Sequence, residues 1–330
     1  MDAYIMIPSA LVLFAMGYGA LSSRLDRVWG VDPSRMTPAY ENGKQKSVFL
    51  LLARDILAYM AFLLPGGNAA SLGFVPEQAV LYPLALAGVL TCLGGVLSYA
   101  ALFVSLRHAG EGIGAVLEEE IGPAASKAFH FVSLLFALAA SAICLRYFLS
   151  QAAGFGVEAA ELPAACRCAV LMGLFACMPS ALSAARLGSE ADGGPLCMGG
   201  ALLAGLLAVL LLASSGVLAL AMRFGIGFQS ALLMEKLIAA ASHLCAMVVS
   251  LHLAAYALRG LLKRSVSMRR KKHKLLGAAA FAVVFAAAAG LACVDAAWLC
   301  MLAAGAGAAA AAAVFSVCVL WFTRIGRRMI

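Results

Sequence analysis

Two charged residues inside a long apolar segment are the first candidates for chemistry. Arg54 and Asp55 interrupt the apolar run that begins at Val48. At about 1.5 Å per residue, they would lie about 10 Å into a helix that starts there. Arg54 is expected to bind a substrate carboxylate while Asp55 accepts a coupling proton, since a buried carboxyl can be held in its protonated form. The alternatives are an ion pair between helices, or an arginine that reaches the membrane surface.

A second candidate is a polar stripe with a histidine near its middle. Lys236, His243 and Ser250 recur every seven residues, which places them along one face of a helix. Because histidine titrates near neutral pH, His243 is expected to form a proton relay with Asp55. The alternative is a histidine that only forms a hydrogen bond with a neighbouring helix.

Motifs for enzymatic chemistry do not occur in the sequence. It has no nucleophile elbow, P-loop, metalloprotease helix or dinucleotide fingerprint, and its five histidines do not cluster. We therefore expect no enzymatic activity, no catalytic residues, no cofactor and no metal site.

The composition is that of an integral membrane protein. Apolar residues make up 64% of the 330 residues and charged residues only 12%, about half of the charged fraction usual in soluble domains. The net charge of +8 is concentrated in loops, where the positive-inside rule explains it without a nucleic-acid partner. The expected partners are membrane lipid, a small-molecule solute, and a helical membrane protein or further copies of the chain.

The hydrophobic runs predict an all-α, polytopic bundle of about nine transmembrane helices, because a span needs about 20 apolar residues. The predicted spans are about 4 to 22, 48 to 64, 79 to 105, 128 to 149, 165 to 185, 197 to 222, 231 to 257, 275 to 294 and 296 to 322.

One basic segment orients the predicted bundle. Residues 259–274 contain eight Lys and Arg side chains, and short loops of this kind stay in the cytoplasm. Strict alternation then places the N-terminus outside and the C-terminus in the cytoplasm. The chain is expected to form one transmembrane domain, 1–330, in the inner membrane of a bacterium.

Two smaller features also lead to structural expectations. Ile113, Val116, Leu117 and Ile121 have helical spacing beside three glutamates, which predicts an amphipathic helix on the cytoplasmic surface over residues 112–123. A solvated connecting helix and a gate are the two roles considered. The Ala-rich eighth and ninth spans are expected to form a tight hairpin that turns at Asp295.

Two loop motifs resemble those of the carbon starvation protein A family. The first is Tyr18-Gly19 followed by GVDPSRMTPAYENG at 30–43, and the second is LFVSLRHAGEGIGAVLEEEIGP at 102–123. A fainter match is MGLF at 172–175. Residues 1–200 are therefore identified as a region similar to this family, and residues 201–330 as additional helices. The resemblance implies a shortened, diverged member of a family of peptide or pyruvate uptake transporters.

The sequence also departs from that family. In the family the second helix carries a pair of histidines and a broken, Gly-Pro-rich segment. Residues 48–76 here contain no histidine, and their only feature comparable to the broken segment is Pro65-Gly66-Gly67. The expected function is uptake of small metabolites such as peptides or pyruvate, by proton symport. The alternative is a non-transporting scaffold or regulatory partner derived from a degenerate transporter.

Overall fold

The structure is a computed structural model that describes six continuous stretches and several single residues. The continuous stretches are residues 20–32, 99–108, 112–153, 253–262, 272–294 and 296–328. The single residues are 12, 15, 18, 34, 96, 195, 198, 199, 225, 227, 243, 244, 247, 248, 250 and 251.

All regular secondary structure in these stretches is helical. The helices are α1 (20–28), α2 (99–107), α3 (Ile113–Glu120), α4 (Pro123–Ala153), α5 (Leu253–Leu262), α6 (Lys272–Leu291) and α7 (Ala296–Arg328). The predicted all-α class is thus confirmed for the described part of the chain. Within that part, one helix, at Pro123–Leu149 in α4, is long and apolar enough to cross a membrane.

The joint between α3 and α4 follows directly from the Gly-Pro pair that ends the second motif. Gly122 has φ of 128°, a conformation that glycine adopts without the strain a Cβ would cause. Its N–H donates to the Leu117 carbonyl at 3.0 Å and closes the end of α3. Pro123 then begins α4, where a missing N–H costs nothing because the first turn of a helix leaves that group unbonded. Only Ile121 and Gly122 therefore separate the two helices.

Helix α3 is amphipathic, as the spacing predicts, but its apolar side is covered by protein. Ile113, Val116 and Leu117 are buried while Glu118 and Glu119 are exposed. The helix packs against α4 and, to a lesser extent, α7. Ile121 was expected on the apolar face, but it lies beyond the last helical residue and is 49% exposed.

Helix α4 is the element against which the other long helices pack. It contacts α3, α6 and α7. The faces of α6 and α7 buried in the protein include several small residues: Ala280, Val284, Ala288, Ala303, Ala310 and Val317. Small side chains allow close approach of helices, and here they approach α4. The predicted tight packing of α6 against α7 is therefore wrong, because neither helix packs closely along the other. Asp295, the predicted turn residue, lies outside the described residues.

The segments that adjoin the two family motifs pack against each other. Tyr99, Leu102 and Leu106 of α2 form a buried cluster that is covered by Leu25, Trp29 and Val31. The Tyr99 hydroxyl donates to Asp26 Oδ1 at 2.5 Å, and its ring lies 4.6 Å from the Trp29 ring. We call these seven residues the motif cluster.

The ends of distant helices are also joined. Phe103 of α2 contacts Trp321 of α7 edge to face, with ring centroids 5.4 Å apart. Near the C-terminal end of α4, Arg146 Nη1 donates to the Val294 carbonyl at 2.8 Å. That carbonyl lies in the turn after α6, where helix ends leave carbonyl groups without helical partners. Arg146 therefore ties α4 to this turn.

Candidate functional site

Polar side chains of α4 lie opposite polar side chains or glycine of the 243–262 segment, by which we mean the described residues in that range. Tyr147 meets His243, Ser141 meets Ser250, and His130 meets Gly260. Residue numbers rise along α4 as they fall along the segment, so the two run antiparallel. We call these six residues the polar seam.

At one end of the polar seam, a histidine packs on a tyrosine. His243 is 3% exposed and Tyr147 is 8% exposed. Their ring centroids are 4.0 Å apart, with the planes inclined by 39°. An ionisable ring held in the interior of an apolar bundle is costly to bury and is a functional candidate for that reason.

In the middle of the polar seam, two buried hydroxyl groups lie in contact. Ser141 Oγ donates to Ser250 Oγ at 2.9 Å. Backbone acceptors are also within reach, since Ser141 Oγ lies 2.7 Å from the Ala137 carbonyl and Ser250 Oγ lies 3.1 Å from the Met247 carbonyl.

Each hydroxyl has one proton to donate, so this pair has two complete arrangements. In the first, Ser141 donates to Ser250 and Ser250 donates to Met247. In the second, Ser250 donates to Ser141 and Ser141 donates to Ala137. Both arrangements satisfy two donors, and rotation of the hydroxyl groups exchanges them. A change in hydrogen bonding at one serine can therefore reverse the bond between the two hydroxyl groups and change the acceptor that the other serine uses.

The sequence-predicted site residues have different outcomes. His243 and Ser250 are both buried and both contact α4, so these two members of the predicted polar stripe lie on the same side, whereas the proton relay stays a prediction. Arg54, Asp55 and Lys236 lie outside the described residues. In the part of the chain that the structure describes, no group of three or more His, Cys, Asp or Glu side chains could hold a metal ion.

Sequence reasoning missed the α4 half of the polar seam, although a signal was present. Ser126, His130, Ser133 and Ser141 are spaced by four, three and eight residues, which puts them on one helical face. All four are buried. A search for polar periodicity inside apolar spans, such as the one that found His243, would also have found this face.

The described residues form only helices, one of them of membrane-spanning length, with an internal polar seam, and these features fit a helical membrane protein. The model of the family described as Carbon starvation protein CstA matches residues 2–178, just over half of the chain. The chain belongs to this family of membrane proteins. The matched region includes both loop motifs and α1 to α4, whereas α5 to α7 lie beyond it. No curated protein and no solved structure matches the chain.

Proposed function

We propose that this protein is a secondary transporter that takes up a small anionic or zwitterionic metabolite, such as a peptide or pyruvate, together with protons. Membership of the carbon starvation family is the observation that carries the proposal. The protein would lie in the inner membrane of a bacterium and would not act as an enzyme.

The proposed topology has nine spans, with the N-terminus outside and the C-terminus in the cytoplasm. Helix contacts support it, because they join ends that strict alternation places on the same side. Trp29, Phe103 and Trp321 belong to three predicted cytoplasmic ends and are in contact through their rings. Arg146 and Val294 belong to two predicted outer ends and share a hydrogen bond.

In the proposed mechanism, solute and proton bind near the middle of the membrane and alternating access releases them inside. Arg54 would bind the carboxylate of the solute and Asp55 would accept the coupling proton. His243 would exchange that proton with the outer side, since imidazole changes its charge near neutral pH. The buried contacts of His243 with Tyr147 support a position for this ring inside the bundle and away from lipid.

Uptake of labelled pyruvate and dialanine into vesicles tests the proposal. Wild-type protein should accumulate at least one solute when the proton concentration is higher outside, and accumulation should fall when the gradient is collapsed. Asp55→Asn should abolish gradient-driven accumulation, because the amide cannot take up a proton. The matched control is Glu119→Gln, which neutralises an exposed carboxylate on α3 and should transport normally.

The second candidate function is a membrane scaffold or regulatory partner without transport. It is favoured by the absence of histidine from residues 48–76, where the family carries a pair. In this case the wild-type protein would accumulate neither solute, and it would purify with a stable helical membrane protein. Accumulation of either solute under a proton gradient would exclude it.

A further inference from the structure

Beyond His243, the polar seam contains a second buried histidine, held in a slot between two glycines. His130 is 7% exposed and lies two turns into α4. A Cβ atom at Gly114 of α3 would lie 2.5 Å from His130 Nε2, and one at Gly260 of α5 would lie 2.6 Å from Nδ1 and Cε1. Cβ atoms do not approach heavy atoms this closely, so only glycine at both positions leaves room for the ring.

The slot brings His130 against the beginning of α3. Gly112 precedes this helix in an extended conformation and Gly114 is its second residue. The first N–H groups of a helix carry partial positive charge, which disfavours a cation beside them. Protonation of His130 would therefore weaken its contact with α3, and the neutral ring would restore it.

The ionisable groups around the slot differ from His130 in their exposure. The Tyr256 ring of α5 lies 5.7 Å from the His130 ring. The other ionisable side chains on α3, α5 and the first turns of α4 lie at the surface or pair there. They are Glu118, Glu119, Lys127 and Arg259, which are exposed, and Glu120, which lies 3.6 Å from His108 Nε2.

The two seam histidines lie toward opposite ends of one buried interface. Residues 130 and 147 of α4 are about 25 Å apart at about 1.5 Å per residue, close to the thickness of the hydrocarbon core, which is about 30 Å. The Ser141 and Ser250 hydroxyl pair lies between them. The predicted spans place His243 near the middle of the membrane and His130 near the cytoplasmic end of its span.

We propose that His130, in its slot between Gly114 and Gly260, is a proton-binding site that accepts the coupling proton on the cytoplasmic side and loosens α3 from α4 when it is charged. The coupling role rests on the proposed transport function, whereas the proton site itself does not. Histidine suits this role because its charge changes between about pH 5 and pH 8.

Nitrogen NMR of the full-length protein, with labelled histidines and in lipid nanodiscs, tests the site without any solute. The chain has five histidines, and the His130 signal is identified by its loss in His130→Gln. The ring nitrogen signals of His130 should move as the pH falls from 8 to 5. Signals that stay constant over this range would overturn the proposal. If His130→Gln does not fold, replacing the other four histidines one at a time identifies the same signal.

Vesicle transport tests the coupling role. His130→Gln should exchange labelled for unlabelled solute at the wild-type rate when no gradient is applied, and it should lose all gradient-dependent accumulation. The control is Ser316→Ala, which changes an exposed residue of α7 that donates to the Ala312 carbonyl of its own helix and should keep both activities. Gradient-driven accumulation by His130→Gln at the wild-type level would overturn the coupling role.

The two tests also separate failure of this proposal from failure of the proposed function. If the wild-type protein exchanges neither pyruvate nor dialanine, transport of these solutes fails and the coupling role fails with it. The NMR titration then decides whether the proton site stands. If the wild-type protein transports but the His130 signals do not titrate, the site fails and transport stands.

Discussion

Gly114→Ala should lower the free energy of unfolding by about 1–3 kcal/mol, the usual cost of inserting a methyl group into a well-packed site. The new Cβ would lie 2.5 Å from His130 Nε2. Gly260 also borders the ring, since a Cβ built there would lie 2.6 Å from His130 Nδ1 and Cε1, so the space into which the ring could shift is small. Denaturation of the purified protein in mixed micelles, followed by circular dichroism, measures the change.

The test of this explanation is a double variant. His130→Ala removes the ring and leaves room at the slot, so Gly114→Ala should cost nothing further in that background. Gly305→Ala is the matched control, since a Cβ there meets no heavy atom within 4 Å and alanine favours helix more than glycine does. If Gly114→Ala lowers the free energy of unfolding by the same amount with and without the His130 ring, the glycine is needed for another reason.

Tyr99→Phe should lower the free energy of unfolding by about 1.5–3 kcal/mol, the range for a hydrogen bond to a charged group. The substitution keeps the ring on Trp29 and removes only the hydroxyl that donates to Asp26. The Asp26 carboxylate would then be partly buried without this donor. Because this bond links α1 to α2, we expect a loss of cooperative unfolding between the two motif segments.

A double-mutant cycle separates the bond from other effects of the hydroxyl. With Asp26→Ala in place, Tyr99→Phe should change stability by only a few tenths of a kcal/mol, since the acceptor is already gone. The same micelle denaturation measures all four proteins. Purely additive effects of the two substitutions would mean that the short contact between Tyr99 and Asp26 does not stabilise the motif cluster.

Local patterns in the sequence predicted several helices well. The apolar spacing at Ile113, Val116 and Leu117 located α3, and hydropathy located the centres of α4, α6 and α7. The start of α4 was placed at 128 instead of Pro123, because Lys127 lowers the hydropathy of its first turn. Charge marks where a span leaves the membrane, but a helix can continue beyond that point.

Long-range packing could not be predicted in the same way. Gly114 and Gly260 are 146 positions apart in the sequence, and nothing in either local segment indicates that both meet one histidine ring. The hairpin prediction failed for a related reason. Small residues on α6 and α7 indicate that close helix contacts exist, but their pattern does not say that the partner is α4.

Only part of the candidate site was predicted from the sequence, and the physical reason differs from residue to residue. His243 and Ser250 were found because they share a helical face in an apolar span, and both are buried against α4. His130 was passed over because it lies near the end of a span, where a lone polar residue is common. The proposed solute residues, Arg54 and Asp55, remain predictions from sequence alone.

Labelling of Cys293 on intact cells tests the central claim, the orientation of the bundle, most directly. Cys293 is an exposed, free thiol in the turn between α6 and α7, which the proposed topology places outside. A membrane-impermeant maleimide should label it in intact cells, and Cys293→Ala should remove that label. In the Cys293→Ala background, Ser267→Cys within the basic segment 259–274 should be labelled only after the cells are permeabilised. Labelling of Ser267→Cys in intact cells, together with no labelling of Cys293 in intact cells that carry the wild-type protein, would contradict the proposed orientation.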